Sequence, residues 1–370
     1  MSGNNTKWKA APARSSLPEE RERALDVARG GAVIGMVYMH LVAMEGGQSS
    51  LESACAAIAA FLEGKAAALF CILAGMTWAL QAKRASTSPR YPLYILRRAL
   101  SLAAIGILLH IRIWPTEILL PLALMMPICV VCYHIGPNAI RLAILLLLVA
   151  DLLTVRLLGA FVASDWTPNG LHLADSSLGW QTLRYLVFDG NYPLLPWMVF
   201  PLFGMLLSLE AQKSVSKRAV GFAAVLSLAF TAHLYHGWFA SHAESLGTYA
   251  VYLNVTWVPT SLPFLLLTGS SAAAVISGLL SWEAARGLPR PLLSMAPLGR
   301  ASLTHYILHI GVVFVPLRLI YPDEQWSIHL GLLATTLYLS FAFPISALWF
   351  RRFSRGPLEG FWACLSGPSR

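Results

Sequence analysis

Ile328-His-Leu-Gly-Leu-Leu-Ala-Thr-Thr-Leu-Tyr-Leu-Ser-Phe-Ala-Phe-Pro-Ile-Ser-Ala-Leu-Trp-Phe350 contains no Asp, Glu, Lys or Arg, and it ends at Arg351-Arg352. About 20 apolar residues in a row cross the hydrocarbon core of a bilayer as a helix. In hydrocarbon every backbone polar group must be paired internally, which leaves only helices and closed barrels. This stretch is too long and too uniformly apolar for the alternating strands of a barrel. It reads as a membrane helix.

Nine further apolar segments precede it, at about 26–44, 56–82, 95–113, 117–135, 139–159, 192–211, 218–237, 257–281 and 299–320. The whole chain agrees with them: 12% of its residues are charged and its mean hydropathy is +0.61, whereas a soluble domain carries about 25% charged residues. The expected fold is all-α, a polytopic membrane helix bundle of about ten transmembrane helices. Residues 1–22 are polar and read as a cytoplasmic tail with no signal peptide, 23–355 as the transmembrane bundle, and 356–370 as a cytoplasmic C-terminal tail.

Charge sets the expected orientation. With the N-terminus inside and alternating crossings, 22 of the 27 Lys and Arg residues fall on the inner side, and Arg112, Arg156, Arg184 and Arg318 fall outside. This is the positive-inside bias, with both termini cytoplasmic. It accounts for the formal charge of +9 without nucleic acid as a partner. His40, His110, His172, His233, His236, His242 and His329 fall toward the outer side. The location expected is a cell membrane, crossed many times, as in a bacterial inner membrane.

Several residues could carry chemistry. Arg23, Asp26 and Arg29 share a face of the first helix at i, i+3, i+6. Arg29 reads either as a snorkelling anchor with one intrahelical ion pair or as a phosphate ligand. His40 lies 11 residues further on, roughly 16 Å along the helix axis. It is either a structural histidine or a general base in the outer half of the membrane. Glu117 opens a helix, where a carboxylate favours the helix dipole; the alternative is a group that orients an imidazole or holds an acceptor. Trp197, in Tyr192-Pro193-Leu-Leu-Pro196-Trp197, is an interface-belt residue or an aromatic wall for a sugar-like ligand. Ser302, His305 and His309 form a stripe at i, i+3, i+7, which lines a polar cavity more readily than it binds metal. Cys129-x-x-Cys132 with His134 is a packing set rather than a metal site. Asp151, Glu63 and Lys65 are expected to face the bundle interior.

Read together, these motifs resemble one family. Arg23-Ala-Leu-Asp26-Val-Ala-Arg29-Gly30 followed by Met36-Val-Tyr-Met-His40, then Leu69-Phe70-Cys-Ile-Leu-Ala-Gly75, resemble the first two helices of the membrane acyltransferases related to heparan-α-glucosaminide N-acetyltransferase. Leu195-Pro196-Trp197 with Phe203-Gly204 is similar to the central Pro-Trp helix of that family. Gly299-Arg300-Ala-Ser302-Leu-Thr-His305-Tyr306 and Arg355-Gly356-Pro357-Leu358-Glu359 resemble the C-terminal signatures of a bacterial branch of it. The resemblance covers residues 20–362.

It implies transfer of an acyl group, acetyl first among them, from cytoplasmic acetyl-CoA or another acyl-CoA to a hydroxyl or amine of a sugar-like or glycoconjugate acceptor, with no metal. A histidine near the outer end of the first helix is implied as catalytic. In the heparan enzyme it lies in the loop after that helix, whereas here His40 ends the helix, and the next histidine is His110. The expected site is therefore His40 and Glu117 for catalysis, Arg29, Arg98 and Arg300 for the CoA phosphates, and Trp197, His305 and His309 for the acceptor. The partners expected are acyl-CoA, the acceptor and membrane lipids, with a homodimer as an option. The rival reading is a proton-coupled transporter or flippase, since membrane histidines and carboxylates also form proton relays.

Overall fold

A computed structural model describes residues 23–42, 49–85, 88–112, 117–162, 185–210, 215–242, 244–245, 255, 260–321 and 326–367. Among these, every extended element is a helix. In chain order they are α1 (Arg23–Leu41), α2 (Ser50–Leu62), α3 (Lys65–Ala85), α4 (Tyr91–Arg112), α5 (Leu119–Ile135) and α6 (Pro137–Val162). A kinked pair follows, α7 (Leu194–Trp197) and α8 (Val199–Glu210), then α9 (Val215–His242) and α10 (Leu262–Arg286). Two short helices, α11 (Arg290–Leu293) and α12 (Ala296–Arg300), lead into α13 (Ser302–His309). A π-helical turn at Ile310–Phe314 joins α13 to α14 (Val315–Ile320), and α15 (Ile328–Arg352) and α16 (Pro357–Ser366) complete the chain.

Each of the ten apolar segments has helix at its centre. Among the described residues, five helical stretches are long and apolar enough to cross a membrane: Ser50–Lys83, Tyr91–His110, Leu262–Arg286, Ser302–Ile320 and Ile328–Arg352. Leu119–Ile135 and Leu194–Leu209 are shorter apolar helices. Large apolar side chains such as Leu108, Phe230, Val312 and Phe341 stand exposed on the bundle. In water such a surface would be costly; against lipid tails it is at home.

The second apolar segment is not one helix. It breaks at Glu63-Gly64, where Gly64 takes φ +67. That conformation disfavours side chains, and a Cβ there would also strike the ring of Phe264. Glu63 is exposed at the break rather than interior, and the Lys65 ammonium sits 4.9 Å from the Phe61 ring centroid. Asp151 is buried, as its position in a membrane helix demands. Most of the 160–191 connection lies outside the described residues.

Small residues let the central helices touch. At Gly75 of α3 an added Cβ would run into the carbonyl oxygen of Pro201, and at Gly204 of α8 into that of Ile72. The two glycines therefore form one reciprocal crossing of α3 and α8, the close approach that membrane interfaces favour. α1 packs against α12 in the same way, with Gly299 facing the Asp26 carbonyl. Residues 357–366, within the stretch expected as a tail, form α16, which lies against α4.

Candidate active site

Three arginines distant in sequence meet at one cavity. Arg29 of α1, Arg98 of α4 and Arg300 of α12 all line a space of about 790 Å³, joined by Arg355 after α15 and by Trp362 of α16. Volumes of roughly 300–1,000 Å³ are usual for ligand sites. From these cationic residues the cavity extends along α3, past Thr77, Leu73 and Phe70, to Leu119 and Leu122 at the start of α5.

Each arginine is held differently. Arg29 donates to Asp26 Oδ1 at 2.7 Å, the intrahelical pair its spacing predicts, and its second terminal nitrogen donates to Thr77 Oγ1 at 2.7 Å. Arg98 stacks on the Trp362 indole at 3.5 Å and donates to the Tyr94 hydroxyl at 3.2 Å. Arg300 lies 3.9 Å over the Phe350 ring and donates to the Ser354 carbonyl at 3.1 Å. A stacked guanidinium keeps its edge donors in a fixed plane, a geometry lysine does not offer. Among the described residues, Arg98 Nε and Gln81 Oε1 are buried without a hydrogen-bond partner, and both residues face this cavity.

The histidines form a second group. His40 Nδ1 lies 2.8 Å from His309 Nε2, a pairing between α1 and α13. His309 Nδ1 lies 2.8 Å from the His305 carbonyl oxygen. His305 in turn contacts the Tyr338 hydroxyl through Nδ1 at 2.8 Å and Ser346 Oγ through Nε2 at 2.7 Å. His309 is 0% exposed. The α15 side of this group was missed in the sequence. Its signal was there: Thr335, Tyr338 and Ser346 recur at helical spacing within a stretch that carries no Asp, Glu, Lys or Arg until Arg351, one polar stripe facing another.

Glu117 caps α5, its carboxylate accepting the amides of Leu119 at 2.5 Å and Leu120 at 3.0 Å. It shares a small cavity with His110 and Tyr192. Tyr306 bridges the two ends of the site: its hydroxyl accepts from the Ile118 amide at 3.2 Å, and its ring meets His309 edge-on with centroids 5.9 Å apart. Trp197 is 0% exposed and belongs to the core. Its Nε1 donates to Thr260 Oγ1 at 2.8 Å, and its ring carries Tyr192 at 4.8 Å. The structure thus joins Arg29, Arg98 and Arg300 at one cavity and His40, His305 and His309 in one cluster, with Glu117 in a smaller cavity and Trp197 in the core.

All five cysteines are free, and among the described residues no group of three or more His, Cys, Asp or Glu side chains is arranged to hold a metal.

The C-terminal motifs lock together. Glu359 of α16 accepts the amides of Leu303 at 2.7 Å and Thr304 at 3.1 Å, capping α13, whose own preceding residue Ala301 provides no side-chain cap.

Residues 21–238, more than half of the chain, match the family model of the heparan-α-glucosaminide N-acetyltransferase catalytic domain. The chain belongs to this acetyltransferase family. Residues 203–367 also match a family described as proteins of unknown function, DUF418. No curated protein matches the chain. The acetyltransferase match contains Arg29, His40, Arg98, Glu117 and Trp197, and the second match contains Arg300, His305 and His309. Both the cavity and the histidine group draw residues from both matched regions.

Proposed function

We propose that the protein is a multi-pass bacterial membrane acetyltransferase that moves an acetyl group from cytoplasmic acyl-CoA to a hydroxyl or amine of a sugar-like acceptor. One observation beyond family membership supports this most: arginines 29, 98 and 300 converge on one elongated cavity. Guanidinium forks suit phosphate oxygens. In this reading the CoA phosphates lie at the Arg98–Trp362 end, on the cytoplasmic side that the charge bias assigns. The pantetheine arm follows the apolar wall of Leu73 and Leu102 toward Leu119 and Leu122.

The chemistry is acyl transfer. His40 takes the proton from the acceptor hydroxyl or amine as that atom attacks the thioester carbonyl. The carbon–sulfur bond breaks, and the leaving thiolate receives the proton from His40. Glu117 holds the first turn of α5, where the cavity ends, and Tyr306 ties that turn to His309. Trp197 acts from the core by supporting Tyr192.

The rival proton-coupled transporter needs a continuous relay. Among the described residues, the His40–His309 pair ends on one side at the His305 carbonyl, which accepts a hydrogen bond but holds no proton to pass on. Membership of the acetyltransferase family favours group transfer.

The test is thiol release by the purified protein in detergent, given acetyl-CoA and a panel of sugar acceptors. Acceptor-dependent release of CoA is expected. No release with any acceptor, together with no acetyl-CoA binding by calorimetry, would contradict the proposal.

A further inference from the structure

We infer that His309 is a positioning residue: it fixes the tautomer of His40 so that His40 Nε2 carries the lone pair that takes the acceptor's proton. The catalytic consequence rests on the acyl-transfer reading; the tautomer assignment does not.

A carbonyl oxygen can only accept, so His309 Nδ1, 2.8 Å from the His305 carbonyl, carries the proton. A neutral imidazole has one N–H, which makes His309 Nε2 an acceptor. The atom facing it at 2.8 Å is His40 Nδ1, which must therefore donate. His40 then holds its only proton on Nδ1, and its Nε2 is basic.

Ring geometry supports an in-plane bond rather than a stack. The two rings are only 16° from parallel with centroids 5.1 Å apart. The N···N distance plus the two ring radii accounts for that separation. His309 is boxed in by Tyr306 and Tyr338, with ring centroids at 5.9 Å and 6.3 Å. His305 anchors Tyr338 in turn. The accepting nitrogen therefore has a fixed direction.

During transfer the acceptor's proton arrives on His40 Nε2, and the Nδ1–H stays bonded to His309. The charge of the imidazolium is stabilised by that lone pair without moving further, because the chain ends at a carbonyl. The same proton leaves from Nε2 to the thiolate, so the cycle balances and His309 is unchanged. This is the part an aspartate plays in a Ser-His-Asp triad, where a wrong tautomer costs about 10⁴-fold. Here a neutral imidazole plays it, which suits a membrane interior where a buried carboxylate would be expensive.

The experiment uses the full-length protein with ¹⁵N-labelled histidine. Nitrogen chemical shifts distinguish a protonated from a bare ring nitrogen, with His40→Gln and His309→Gln assigning the signals. Wild type should show His40 protonated at Nδ1 and bare at Nε2; the opposite tautomer overturns the inference whatever the activity. His309→Leu should lower turnover by roughly 10²–10⁴-fold with acetyl-CoA affinity unchanged. His309→Gln, whose amide oxygen can accept from His40 Nδ1–H, should recover at least about tenfold over the leucine variant. Equal turnover in the glutamine and leucine variants would overturn the positioning role. If wild type transfers no acyl group, the acyl-transfer reading fails, and the tautomer spectrum still decides the geometry.

Discussion

Thr304 donates to the Glu359 carboxylate twice, from its amide and from its hydroxyl. The Thr304 hydroxyl donates to Glu359 Oε2 at 2.6 Å, and the same hydroxyl accepts the amide of Leu358 at 3.0 Å. One carboxylate thereby caps α13 from another helix and fixes α16 over the cavity end that Arg98 and Trp362 share. An N-terminal cap satisfies amides that have no partner within their own helix, and a negative charge there favours the dipole.

Glu359→Ala should therefore destabilise the protein by about 1–2 kcal/mol, the cost of losing a cap. Thr304→Val should lose a similar amount, and the double variant less than the sum because the two share bonds. Thermal melts of the detergent-solubilised variants check this. Strict additivity would mean the contact contributes nothing of its own.

The Gly75–Gly204 crossing predicts a steric effect. Gly75→Val or Gly204→Val forces a side chain into a backbone carbonyl and should cost about 1–3 kcal/mol, as overpacking does. Gly221 meets nothing within 4 Å of an added Cβ, so Gly221→Ala is the control and should leave the melting temperature nearly unchanged. Equal melting temperatures for all three would contradict the packing.

Much of this architecture could be read from the sequence, because hydropathy and charge report directly on the solvent around a helix. The all-helical, apolar character of the chain and the Arg29–Asp26 pair were both legible in that way. The break at Gly64 was not, since one glycine inside an apolar run changes neither hydropathy nor charge. α16 was also missed: ten residues of mixed polarity look like a tail until Glu359 is seen to cap α13. For the site, Arg29, Arg98 and Arg300 stood out as cations at helix ends, but their meeting at one cavity depends on helix packing across long separations. The His40–His309 bond joins residues 269 positions apart, and no local period encodes it. Trp197 illustrates the reverse case. Tryptophan beside proline at a helix start reads as interface belt or ligand wall, and neither reading includes the core position that the packing of Phe200 and Phe264 gives it.

Topology is testable with single cysteines. The 22-to-4 charge bias predicts that a membrane-impermeant thiol reagent added outside labels Asp165→Cys and not Ser216→Cys, the native cysteines having been replaced. The reverse pattern would invert the bundle and place the arginine cavity outside.

The cavity predicts donor affinity. Arg98→Ala removes a stacked guanidinium with an unsatisfied nitrogen, and Arg300→Ala removes a second cation. Each should weaken acetyl-CoA binding about tenfold or more, the range for a charged hydrogen bond, and rising salt should weaken wild-type binding too. Arg98→Lys should recover little, because an ammonium cannot reproduce the planar stack on Trp362. Calorimetry showing unchanged affinity in both alanine variants would remove these residues from the donor site.

The central claim is that His40 moves the proton, and His40→Gln tests it most directly. Glutamine keeps a hydrogen-bonding group at this position but cannot accept a proton at neutral pH. The measurement is steady-state acetyl transfer beside acetyl-CoA affinity and melting temperature on the same preparation. Loss of roughly 10²–10⁴-fold in turnover, with binding and melting unchanged, is the predicted result. Near-normal turnover in His40→Gln would contradict it.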